Sequence, residues 1–165
     1  MRRRIIITAA LSLAILLFPS GTYVGVKAEP VHAGHKLVGT WEVTLRFPEC
    51  SMACPCPGGV PNIPLPVVQT YSKDGTMSEV SGGTLYRSDA LGTWEHVRDQ
   101  EYSARYKFFI FNPTTGARML TEVVASQIQL QGRDAFEATA TVDLFAADGS
   151  LISSGCPINI TGTRL

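Results

Sequence analysis

The chain has 165 residues, with 14 Lys/Arg balanced by 14 Asp/Glu. Four of the basic residues, Arg2, Arg3, Arg4 and Lys27, precede residue 29 and no acidic residue does, so the remainder is acidic by four charges. No Lys/Arg block is left to meet a phosphate backbone, which argues against nucleic-acid binding, and the length suits one domain with one core.

The first segment predicts a secretory signal peptide over residues 1–28. Arg2–Arg4 form a positive n-region, and Ile5 to Phe18 is apolar apart from Thr8 and Ser12. That run fits an h-region and falls short of the roughly 20 residues of a spanning helix. Pro19-Ser20-Gly21 ends it, and Val26-Lys27-Ala28 offers a small residue for cleavage near Ala28. The expected location is therefore periplasmic or extracellular, with contact to the membrane only through the leader if it stays uncleaved. Residues 29–38 read as an irregular entry segment, and its His32 and His35 as solvated rather than metal-binding.

Strands and turns follow. Trp41, Val43, Leu45 and Phe47 alternate with Glu42, Thr44 and Arg46, the period of a half-buried strand. Residues 48–66 are crowded with proline, glycine and cysteine and read as a long loop, since proline donates no ladder hydrogen bond. Two strand-like runs, Val67 to Tyr71 and Thr76 to Val80, flank Lys73-Asp74-Gly75, a hairpin signal because the turn needs positive φ. A second hairpin joins Trp94–Val97 to Tyr102–Phe109 through Arg98–Glu101. A long run from Arg118 to Gln131 leads to the cleanest strand, in which Phe136, Ala138, Ala140, Val142 and Leu144 share one face. Asp148-Gly149 turns the chain into the last strand. The expectation is an all-β fold: about eight antiparallel strands in an up-and-down barrel over residues 39–165, whose closure removes exposed edges.

Cys50, Cys54, Cys56 and Cys156 are the only cysteines. In an exported chain an even count favours disulfides over a thiolate metal site. Four cysteines allow three pairings, and the sequence does not choose among them. Cys54 and Cys56 lie too close to pair comfortably, and one outcome ties Cys156 back to the Cys50–Cys56 loop.

Gly-Thr-Trp-Glu occurs twice, at Gly39–Glu42 and Gly92–Glu95, and contains both tryptophans. If the first strand pairs with the last, Trp41 and Arg164 meet at one end with both side chains inward. The guanidinium then lies on the indole, a contact worth roughly 0.5–2 kcal/mol. Gly39-Thr40-Trp41 on the first strand, with Arg164 after Thr161-Gly162-Thr163 on the last, resembles the lipocalin and wider calycin barrels. The resemblance covers roughly residues 37–165 and implies a small exported bacterial barrel with Gly39, Trp41 and Arg164 holding one end. The chain departs from it in lacking a C-terminal helix and in its cysteine loop. The second copy reads as the same local device where a strand enters the barrel.

A barrel of this size either holds one small apolar ligand or is filled by its own side chains. The small Ala138 and Ala140 at mid-strand favour a pocket, lined by Tyr102, Tyr106, Phe108, Phe136, Ala138, Ala140 and Val142. No Gly-x-Ser-x-Gly elbow, ordered triad or phosphate-cradling glycine loop is present, so no catalytic residue, metal or cofactor is expected. Were the pocket an isomerase- or cyclase-type enzyme, His96, Tyr102, Tyr106 and Arg105 would be its first suspects. The expected function is non-enzymatic binding of a small apolar molecule. The alternative is a solid barrel that presents its loops to an envelope partner.

Overall fold

The computed structural model describes residues 36–52, 54–56, 59–81 and 86–165. The predicted leader, His32 and His35 lie outside the described residues. Period-two alternation becomes strand throughout: β1 (Gly39–Arg46), β2 (Leu65–Tyr71), β3 (Thr76–Ser81), β4 (Ala90–Arg98), β5 (Glu101–Phe111), β6 (Arg118–Leu130), β7 (Ala135–Ala146) and β8 (Leu151–Arg164). Each strand pairs with its neighbour in sequence, and β1 pairs with β8, so the sheet closes into an antiparallel up-and-down barrel. The closing register sets Trp41 opposite Arg164, Val43 opposite Gly162 and Leu45 opposite Ile160.

Two boundaries differ from the sequence reading. β2 begins at Leu65, so Pro66 belongs to a strand and not to the loop. Proline is tolerated there because β3 starts its pairing with β2 only at Val67, and no ladder on that side asks for the missing N–H. Pro157 in β8 uses the same latitude: it pairs with Thr141 of β7, while the pairing with β1 stops at Asn159. In addition, β4 begins two residues before Gly92, so the second Gly-Thr-Trp does not open a strand. Its glycine is required by a close approach, since a Cβ there would collide with the backbone of Arg105 and with Tyr106.

The two ends of the barrel are built differently. At the end where β1 starts and β8 finishes, Trp41, Tyr71, Trp94, Tyr102 and Phe136 are buried together. Their rings meet edge-on or tilted, Trp41 to Phe136 at 5.1 Å, Tyr71 to Trp94 at 6.2 Å and Trp94 to Tyr102 at 5.9 Å between centroids. Such contacts add to the burial of the rings themselves. Both tryptophans donate their indole N–H to a carbonyl of the end segments, Trp41 to Leu37 and Trp94 to Ser72, each at 2.9 Å. Each buried ring thus keeps its polar atom satisfied, and this end is filled.

Arg164 completes the seal. Its guanidinium carbon lies 4.1 Å from the Trp41 ring centroid, and its nitrogens donate to the carbonyls of Arg133, Val38 and Lys36 at 3.0, 2.9 and 2.5 Å. Gly39 makes room for it: a Cβ built there would lie 2.5 Å from an Arg164 Nη, at a φ of 140° that side chains avoid. The expected cation–π contact is present, and the guanidinium also ties three carbonyls together.

Candidate functional site

At the other end the chain leaves space. Two disulfides form, Cys50–Cys56 and Cys54–Cys156, and no cysteine is free. The first closes a short ring within the loop between β1 and β2, and the second fastens that loop to β8. The loop's base is held by the Asn62 N–H on the Phe47 carbonyl at 2.8 Å. Pro55 and Cys56 are thereby placed over the barrel mouth, where they help line a cavity of about 210 Å³. Its walls are largely apolar, from Leu45 of β1, Phe108 and Ile110 of β5, Val142 and Leu144 of β7 and Ile158 of β8.

A polar group interrupts this apolar wall. Glu79 of β3 is fully buried and takes a hydrogen bond from Gln69 Nε2 of β2 at 2.6 Å. Gln69 in turn accepts the Tyr71 hydroxyl at 2.6 Å. The other Glu79 oxygen forms an ion pair with Arg87. Arg87 precedes β4 in a segment fastened to the end of β5 by Ser88 N to Phe109 O (2.9 Å) and Phe111 N to Tyr86 O (2.7 Å). A β-bridge to Ile110 turns it inward, and its guanidinium lies 3.7 Å from the Phe108 ring centroid. A desolvated charge needs such partners, because unpaired burial costs several kcal/mol.

Two buried polar atoms at the cavity lack such satisfaction, and half-buried Glu122 adds a carboxyl to its wall. The Tyr106 hydroxyl and Arg87 Nε are buried without a hydrogen-bond partner among the described residues. Burial and then the Glu79 carboxylate push the ionisation of the Tyr106 hydroxyl well above the usual range, with Arg87 and Gln69 opposing them. Glu122 of β6 lines the cavity, and burial, opposed by Arg87 and reinforced by Glu79, raises its pKa from 4.5 to about 7. Burial and the same Glu79 charge hold the Tyr71 hydroxyl neutral as well.

Among the residues expected to line a pocket, Tyr106, Phe108 and Val142 line this cavity. Tyr102 and Phe136 instead belong to the aromatic plug. Ala138 and Ala140 are buried at mid-barrel, level with Ile160 and Ile158 of β8, between plug and cavity. The four residues suspected of catalysis are not brought together. His96 lies tilted against Tyr102, 5.1 Å between ring centroids, at the filled end, Tyr106 faces the cavity, and Arg105 is exposed outside. Gln69, Glu79, Arg87 and Glu122 were not singled out in the sequence. Three of them carried a signal: Gln69 is in phase with Tyr71, Glu79 with Met77 and Glu122 with Val124, all on buried faces. Arg87 lies in no strand and carried none.

No protein-family model matches the chain, and neither a curated protein nor a solved structure shows significant similarity to it. The described residues form a disulfide-stapled, eight-stranded antiparallel barrel with a filled end and a cavity toward the other.

Proposed function

We propose that the protein is an exported, non-enzymatic, lipocalin-like barrel that holds one small, mainly apolar molecule in its cysteine-capped half. The observation that carries this reading is the cavity of about 210 Å³ lined by apolar side chains and a few convergent polar groups, the usual make-up of a ligand site. The volume exceeds the about 150 Å³ of an engineered apolar cavity that takes up benzene. Export is supported by the predicted leader and by two disulfides, bonds that persist in oxidising compartments. The Gly39, Trp41 and Arg164 arrangement supports the lipocalin-like assignment.

Native and denaturing mass spectrometry of protein produced with its own leader tests the reading. A native mass above the denatured one reports a non-covalent cargo, and Val142→Phe, which obstructs the cavity, should lose that excess. The variant remains folded at a cost of about 1–3 kcal/mol for overpacking. Equal masses, together with no heat of binding for added benzyl alcohol, would refute the proposal. The competing reading, a solid barrel that presents its loops to an envelope partner, finds support away from those loops, in the exposed apolar Val80 and Leu91 on the outer face of β3 and β4. Val142→Phe would leave that surface untouched.

A further inference from the structure

Resting on the ligand-cavity reading, the charges inside the cavity narrow the ligand's chemistry. Glu79 and Arg87 form an ion pair with side chains 0% and 3% exposed, and together they are neutral. Glu122, half-buried on β6, lines the same cavity; it feels the charges of both, and its carboxyl makes no hydrogen bond or ion pair among the described residues. Every other described wall facing it is neutral: Tyr106 and Phe108 from β5, Val142 and Leu144 from β7, Leu45 from β1 and Ile158 from β8. The ionised cavity therefore carries one uncompensated negative charge. A cation brings the sum to zero. An anion brings it to two negatives, or to one if Glu122 takes up a proton, and a buried charge without a counter-charge is the costliest arrangement available. The Tyr106 hydroxyl, on a residue 3% exposed and without a hydrogen-bond partner among the described residues, adds a neutral polar group to the same cavity. We infer that Glu122, on the wall that Tyr106 also lines, makes this cavity a receptor for a small organic ammonium ion, a primary or secondary amine carrying an apolar body of about one ring.

This inference separates the chain from a carrier of fatty or aromatic acids, which would bring a carboxylate toward two others. It also fixes a pH dependence, because the amine needs Glu122 ionised. The groups bearing on that ionisation are Glu79 from β3 and Arg87 ahead of β4.

The test is calorimetric titration of the full disulfide-bonded chain at pH 8 with benzylamine, benzyl alcohol and benzoate, three ligands of one shape and different charge. Benzylamine should bind at least tenfold more tightly than benzoate, and Glu122→Gln should bring it down at least tenfold, a much larger loss than benzyl alcohol suffers. Below the Glu122 midpoint near 7, benzylamine affinity should fall about tenfold per pH unit. Benzoate binding as tightly as benzylamine overturns the inference and leaves the cavity reading intact, as does an amine affinity indifferent to pH. Failure of all three ligands to bind overturns both. The wild-type comparison and its pH profile decide the matter even if Glu122→Gln fails to fold.

Discussion

Arg164 and Glu122 are two charged residues on inward faces, and the barrel treats them in opposite ways. Arg164 sits at the rim, bonded to three carbonyls and stacked on Trp41. Its ion pair with Asp134, at 3.6 Å and largely in solvent, adds little. Lysine cannot reproduce a planar fork over an indole. Arg164→Lys should therefore cost about 1–2 kcal/mol and Arg164→Met about 2–3 kcal/mol in urea unfolding. Equal stability of the lysine variant and wild type would show that charge alone matters here. Glu122 is half-buried in the barrel without a hydrogen bond or ion pair among the described residues, and its raised pKa makes it a liability. Between pH 4.5 and about 7 the native chain keeps a proton that the unfolded chain has released. Stability must then fall as pH rises through that window and level off above it. Glu122→Gln should remove this slope and gain about 1–3 kcal/mol at pH 8, with little change at pH 4. Parallel stability curves for the two proteins would show that the native chain leaves Glu122 as solvated as the unfolded one does.

At the level of elements, the most instructive piece is the loop between β1 and β2, where β-structure stops and covalent bonds take over. Cys54–Cys156 spans 102 residues and Cys50–Cys56 only 6. In the chain-entropy account the longer closure removes more freedom from the unfolded state, about 4–5 kcal/mol against about 2 kcal/mol. Replacing Cys54 and Cys156 together by serine should thus lower stability about twice as much as replacing Cys50 and Cys56, as read by urea unfolding. If the short bridge matters as much, its contribution lies in ordering the loop and not in chain entropy. The strands themselves were largely legible beforehand. Alternation gave their number and their inward faces, and the shared phase of Trp41 and Arg164 gave the closure. The polar core is less legible, because carboxylates are seldom inside without a partner: Glu79 and Glu122 stand in phase with buried neighbours, yet only the tertiary structure supplies the groups that face them. Arg87 could not have been found this way, since only its tertiary bridge to Ile110 turns it inward. The cavity's position was hidden for a related reason. Small mid-strand residues drew attention to Ala138 and Ala140, yet free volume depends on what all eight strands contribute at one level, and it collects nearer the cysteine loop.

For the whole molecule, closure has a consequence in time. A chain made from its N-terminus produces β1 first and β8 last, and these are the strands that must meet. Until β8 arrives, β1 has one bare edge, Trp41 has no guanidinium above it, and Cys54 has no partner on the far wall. The local hairpins can form as they emerge, but the step that seals the barrel, fastens its cap and encloses the Glu79–Arg87 pair waits for the final strand. Contacts this distant in sequence are slow to form. A half-made chain is therefore an open, pliable sheet, a form that can still be threaded through a narrow passage, and it becomes a vessel only once its last strand is free to come home.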